Sequence, residues 1–117
     1  MRDHTKLRAF ELADELALGV YQGTRAFAKE EQFGLKAQMR RAAVSVASDI
    51  VEGCARNSEA DYLRFYDMAY GSARELGYQV SLAHRLGYLG DESHGRLHAA
   101  CEETCKVLNG LIRSLRR

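Results

Sequence analysis

The segment that decides the fold is GLKAQMRRAAVSVASDIVEG, residues 34–53. Its apolar side chains recur every three or four residues, which is the spacing of one face of an α-helix. They are Leu35, Met39, Ala42, Ala43, Val46 and Ile50. The opposite face carries Gln38, Arg41, Ser45, Ser48 and Glu52. We therefore expect a helix that makes contacts on both faces and ends at Gly53 in the left-handed conformation.

The composition favours a single helical domain over residues 1–117. A chain of 117 residues with 46% hydrophobic residues buries a core without metal or disulfide support. It contains no proline, and its ten glycines permit long helices separated by short breaks.

Three further helices are predicted around this segment. The first covers residues 7–27, and a polar connection at 28–33 joins it to helix two. The third opens at Ser58, an N-cap residue, and runs to about Leu86. The fourth begins after the turn at residues 87–90, with Asp91 as its N-cap. Short connections between four helices predict an all-α, antiparallel up-down-up-down bundle.

Helix three has a wider apolar face than one bundle core requires. Its main stripe ends in Leu76, Val80 and Ala83, and a second strip contains Leu63, Tyr70 and Gly77. The width predicts contact with another subunit. The alternative is that tyrosines cover the surface with their hydroxyls in water.

Charge and cysteine content indicate a cytoplasmic protein. The formal net charge of +1 gives no global basic field. No apolar run approaches the roughly 20 residues that span a bilayer, and the first residues lack the apolar centre of a signal peptide. Three cysteines, an odd number, fit reduced thiols better than disulfides. We expect no membrane partner.

Several short motifs resemble a known family. RRAAVS at 40–45, IVEG at 50–53, RNS at 56–58, and GS at 71–72 with EL at 75–76 are similar to the signature of bacterial four-helix-bundle proteins. Many of these are encoded in intervening sequences within 23S ribosomal RNA genes. The resemblance covers nearly the whole chain. This chain departs from it at Ala28 and Ala47, where the family usually has proline, and at Asp49, where it has asparagine.

The resemblance implies a homo-oligomeric ring, in this family typically a pentamer. A related protein is the accessory variability protein of diversity-generating retroelements, a basic pentamer that works with a reverse transcriptase and binds nucleic acid. The branch encoded in ribosomal genes has no established biochemical activity.

Nucleic-acid binding is the first functional candidate. The residues expected to contact phosphates are Lys36, Arg40, Arg41, Arg56 and Arg64, repeated on each subunit of a ring. A further basic group ends the chain at Arg113, Arg116 and Arg117. The alternative is a solvated, salt-bridged surface, because 17 basic residues face 16 acidic ones.

The oligomer interface is expected to include Ser45, Glu52, Leu63 and Tyr70. The polar face of helix two needs hydrogen-bond partners if it is buried. Those partners are either Ser72, Glu75 and Gln79 of helix three or residues of a neighbouring subunit.

Metal and enzyme chemistry are not expected. His94, His98, Cys101 and Cys105 share one flank of helix four, but a single straight helix does not wrap four ligands around an ion. Ser45 has no histidine placed near it by the sequence, so no nucleophilic triad is indicated. We expect a non-enzymatic homo-oligomer without cofactors that binds structured RNA or DNA. The alternative is a protein-interaction scaffold that binds no nucleic acid.

Overall fold

Four helices, joined by short connections, make up the described part of the molecule. The computed structural model describes residues 2–116, and Met1 and Arg117 lie outside that range. The helices are α1 (Arg8–Gly23), α2 (Leu35–Cys54), α3 (Glu59–Arg85) and α4 (Asp91–Leu115). Short 3-10 segments at His4–Lys6 and Lys29–Glu31 precede α1 and α2. Helices α1 and α3 each pack between α2 and α4, which confirms the predicted four-helix bundle.

The core forms two layers along the bundle. Leu16, Met39 and Leu76 are among the residues that fill one layer, and Ile50 and Tyr66 lie in the other. The predicted apolar face of α2 is buried in both, except for the partly buried Leu35 at its start. Helical spacing alone was therefore enough to identify the face of α2 that packs inward.

The ends of α3 show two standard capping arrangements. The Ser58 hydroxyl oxygen accepts a hydrogen bond from the Asp61 backbone N–H at 3.2 Å, which confirms the predicted N-cap. At the other end Gly87 has a φ of +83°. The Gly87 and Tyr88 N–H groups donate back to the carbonyls of His84 and Ala83, at 3.0 and 2.8 Å. This is a Schellman motif, and glycine suits its left-handed residue.

The expectation that Gly53 ends α2 in the left-handed conformation was wrong. Gly53 is buried inside the helix, which continues to Cys54, and its φ is not positive. A Cβ at this position would lie 2.9 Å from Tyr66 Cε1 and 3.0 Å from Phe65 Cβ. Glycine is needed here because α2 and α3 approach each other too closely for a side chain.

Two other helix ends differ from the prediction. Helix α1 ends at Gly23, before Phe27. The Thr24 hydroxyl donates to the Val20 carbonyl at 2.8 Å, and such side-chain bonds compete with helix continuation. Phe27 nevertheless stays buried. Asp91 is the first helical residue of α4, and Gly90 occupies the N-cap position.

Candidate nucleic-acid interface

An open groove of about 620 Å³ lies between the end of α1 and the outer face of α2. It is lined by Tyr21, Gln32, Phe33, Lys36, Ala37, Arg40, Arg41, Val44, Ser45 and Ser48. Three of these residues are cationic and none is a carboxylate. The Phe33 side chain is 90% exposed. The groove therefore combines positive charge with an accessible aromatic ring.

Arg40 is held rigidly at the wall of this groove. Its Nε donates to the Thr24 hydroxyl at 2.9 Å, and its Nη2 donates to the Tyr21 carbonyl at 3.1 Å. The guanidinium also lies 4.4 Å from the centre of the Tyr21 ring. Carbonyls at a helix end lack intrahelical partners, so Arg40 caps α1 from α2. The positive charge of Arg40 is therefore held in a fixed position at the wall of the groove.

The five predicted phosphate-binding residues fall into two groups. Lys36, Arg40 and Arg41 line the groove, whereas Arg56 follows the end of α2 and Arg64 lies on α3. Lys36 and Arg56 are twenty residues apart, which corresponds to about 30 Å along the axis of α2. One compact patch of all five residues is therefore not formed within a single chain.

Ion pairing distinguishes the two groups. The Arg56 guanidinium lies 3.6 Å from the Glu52 carboxylate, and that of Arg64 lies 3.8 Å from Asp61. Both guanidiniums also lie 4.7 Å from the centre of the Phe65 ring. Within residues 2–116, the three groove cations have no ion pair, which leaves their charge available to a ligand. The alternative of a salt-bridged surface fits Arg56 and Arg64 but not the groove. Arg117 lies outside the described residues.

The four predicted interface residues occupy different places. Ser45 lines the groove, and Glu52 pairs with Arg56. Leu63 and Tyr70 are partly buried and pack against the core layer that contains Ile50. The second apolar strip of α3 is thus partly used inside the bundle.

The predicted network between α2 and α3 does not form among residues 2–116. Gln79 Nε2 donates to Glu75 on its own helix at 3.4 Å, and the buried Gln79 Oε1 has no partner in the described part of the chain. The side chains of Arg41, Ser45 and Ser48 make no hydrogen bond or ion pair with other residues in 2–116. The alternative of a neighbouring subunit therefore remains as the prediction for this face.

The two aromatic residues of the groove were not foreseen from the sequence. Tyr21 could not be identified from the sequence, because its place in the groove depends on its contact with Arg40, which is 19 positions away along the chain. Phe33 carried a usable signal, since it is a lone large aromatic in the polar connection just before Gly34.

Comparison with known proteins agrees with this architecture. A family model described as 23S rRNA-intervening sequence protein matches residues 5–110. The chain belongs to this family. Among curated proteins no match was found.

A solved member of the same fold is a protein of unknown function from the S23 ribosomal protein family of Bacteroides thetaiotaomicron. The two structures superpose with a TM-score of 0.82 at 22% identity, over 89% of this chain and 97% of that one. At this identity the likeness shows the fold alone. The two proteins share the four-helix bundle described above.

All three cysteines of this family member are buried, and burial makes the Cys101 and Cys105 thiols poorly reactive. Burial raises the pKa of the Cys101 thiol to about 12, and it raises the pKa of Cys105 as well. The Cys54 sulfur lies 3.3 Å from the Tyr66 hydroxyl in the core. A protonated, inaccessible thiol is a weak nucleophile and metal ligand. In residues 2–116 no group of three or more His, Cys, Asp or Glu is placed to hold a metal ion.

Three of the four histidines form a separate cluster where α3 meets α4. The His84 and His94 rings stack with centroids 4.0 Å apart, and His98 follows at 5.7 Å from His94. His84 Nε2 lies 2.8 Å from Asp91 Oδ1. The cluster links the two helices across their short turn.

None of the helices in the described part of the chain is long and apolar enough to cross a membrane.

Proposed function

We propose that this protein is a non-enzymatic homo-oligomer, a pentameric ring on the family pattern, that binds structured RNA or DNA in the cytoplasm. The observation that carries the proposal is the groove beside α2, where three cations without an ion pair in residues 2–116 lie together and no carboxylate is among the lining residues. Phosphates are the ligands for which such a surface is best suited.

Repetition around a ring strengthens the argument from charge. A single chain has a formal net charge of only +1, so one groove is a weak anion site. Several copies placed side by side create a larger positive surface, and affinity for phosphates grows with the number of cations engaged. The resemblance of the sequence motifs implies the same combination of ring and nucleic acid.

The proposed subunit contact involves Ser45, Glu52, Leu63 and Tyr70. Exposed apolar side chains elsewhere support association, because a monomer gains little from leaving them in water. They include Met68 and Leu86. Ser45 makes no hydrogen bond within residues 2–116. It lines the groove about 14 Å along α2 beyond Lys36, and we propose that a neighbouring subunit contacts it at that end.

The alternative is a protein-interaction scaffold that binds no nucleic acid. A second groove favours it, about 410 Å³ in volume, between α1 and α4. Leu12, Leu16, Leu18 and Leu97 are among the residues that line it, and Leu18 is largely exposed. An apolar groove of this kind suits a protein partner better than phosphate.

A charge-removal experiment tests the proposal. Lys36→Gln combined with Arg41→Gln removes two groove cations and keeps Arg40, which caps α1. Arg56→Gln combined with Arg64→Gln is the matched control, because it removes the same charge from residues that are already ion-paired. Binding to a labelled RNA hairpin is measured by fluorescence anisotropy across a salt series.

We expect the groove variant to weaken binding and to lower the salt slope by about one for each cation removed. The control variant, Arg56→Gln with Arg64→Gln, should weaken RNA binding less. Equal effects of both variants would contradict the groove as the principal site. No binding by the unmodified protein at about 50 mM salt, where phosphate contacts are strong, would favour the scaffold instead.

A further inference from the structure

Phe33 has an exposure that the bundle itself does not explain. Its side chain is 90% exposed and belongs to neither layer of the core. It lies between the 3-10 segment Lys29–Glu31 and the start of α2, at one end of the groove. An aromatic ring in this position contributes little to folding, so its use is expected to lie in binding.

The Phe33 side chain lies at the start of a short row of cationic side chains on α2. Lys36 follows within one helical turn, and Arg40 and Arg41 follow after another. From Lys36 to Arg41 the row therefore extends about 8 Å along α2. Arg40 is fixed by Tyr21 and Thr24, so at least one cation of the row has a set position.

The charge around the groove selects an anionic occupant. No carboxylate lines it, and the nearby Glu31 is engaged elsewhere. One Glu31 oxygen accepts the Leu35 N–H at 2.8 Å, and the other accepts the Tyr88 hydroxyl at 2.9 Å. A ligand with both anionic and flat aromatic parts matches the two kinds of side chain present.

We propose that the groove binds unpaired nucleotides, with one base stacked on Phe33 and the adjoining phosphates against Lys36 and Arg41. This inference rests on the proposed function and names its substrate class. Paired bases in a duplex are stacked on each other and offer no free face to Phe33. Bases in loops, bulges and ends do offer one, and proteins that read them use aromatic side chains beside cations. The target is thus the single-stranded part of a structured RNA.

The test compares Phe33→Ala with a matched control, Tyr78→Ala. Tyr78 is also an exposed aromatic, 60% accessible, and its ring lies 5.9 Å from the Arg85 guanidinium, but it is outside the groove. Both positions are exposed, so both variants should fold, which circular dichroism checks. Each protein is titrated into an unstructured single-stranded RNA and into a blunt RNA duplex of the same length, and its mass is followed by light scattering.

We expect Phe33→Ala to weaken single-strand binding by about 10-fold and duplex binding by less than about 2-fold. Tyr78→Ala should leave both affinities unchanged. Equal loss on both RNAs, or no loss on either, overturns the stacking inference while the proposed function stands. A fall in assembled mass with Phe33→Ala also overturns it, because the Phe33 end of the groove would then be a subunit contact. If the unmodified protein binds neither RNA at low salt, the proposed function itself fails.

Discussion

Arg40 and Arg56 are both supplied by the α2 region, and both carry a positive charge, yet their surroundings give them different uses. Arg40 is fixed by hydrogen bonds to α1 and has no ion pair in the described chain. Arg56 is paired with Glu52 and lies over Phe65. The sequence grouped them as equivalent phosphate ligands because it shows residue type and spacing, whereas ion pairing depends on side-chain positions in three dimensions.

The glycines give a testable contrast at the residue scale. Gly53→Ala places a Cβ against Tyr66 Cε1 and Phe65 Cβ, at 2.9 and 3.0 Å, so α2 and α3 must move apart. We expect a loss of about 1–3 kcal/mol in the free energy of unfolding, the usual cost of overpacking. The measurement is denaturant unfolding followed by circular dichroism.

Gly71→Ala is the control for that measurement. Gly71 lies within α3, and a Cβ there would meet nothing within 4 Å. The change should stabilise the protein by about 0.5–1 kcal/mol, because alanine favours a helix over glycine. If Gly53→Ala were as stabilising as Gly71→Ala, the close approach of α2 and α3 would be refuted.

At the scale of elements, the inward faces of the helices could be predicted and some helix ends could not. The apolar spacing in α2 and α3 identified most of the residues that are buried. Gly53 was misread because a glycine needed for close packing and a glycine needed for a left-handed cap look the same in a sequence. The left-handed glycine is Gly87 instead. The groove was missed because it arises only when Tyr21 of α1 is brought beside Arg40 of α2.

The histidine cluster predicts a pH dependence at the junction of α3 and α4. Desolvation and the neighbouring His84 and His98 lower the pKa of His94 below its usual 6.5, and Asp91 opposes this only weakly. The unfolded chain therefore binds a proton at His94 more readily than the folded chain. Stability should fall as the pH drops below about 6.5 and through the lowered folded pKa.

This dependence is checked by thermal unfolding of the protein at about pH 7.5 and at about pH 5.5, on either side of the histidine range. His94→Gln should reduce the fall in Tm between the two values. His4→Gln, which leaves the cluster intact at the far end of the bundle, should retain the fall. A His94→Gln protein with the full fall would show that the stacked rings do not cause it.

At the scale of the whole molecule, the fold and family were predictable but the assembly remains a proposal. The motifs that start at Arg40 and Ile50 identified the family, because their combination is specific, and the bundle followed from four amphipathic segments. Subunit contacts produce a weaker pattern in a sequence than the core of a bundle does. Leu63 and Tyr70 illustrate this, since the bundle partly buries the same strip that was assigned to a neighbouring subunit.

Tyr70→Arg tests the proposed subunit contact. Placing a charge on a partly buried contact surface should lower the assembled mass while helical content is kept, because an unpaired charge is costly to bury between subunits. Tyr78→Arg is the control, since Tyr78 is more exposed and lies on another part of α3. Light scattering coupled to size exclusion measures the mass. An unchanged mass for a folded Tyr70→Arg protein would place Tyr70 on open surface.

The most direct measurement of the central claim is the mass of the unmodified protein, alone and mixed with a structured RNA that contains a loop. It is made by light scattering at about 50 mM and about 200 mM salt, a range over which phosphate contacts weaken strongly. With a chain of 13.1 kDa, we expect a ring of about five chains that carries RNA at the lower salt and releases it at the higher. A 13.1 kDa monomer that never shifts with RNA at either salt would contradict both the ring and its ligand.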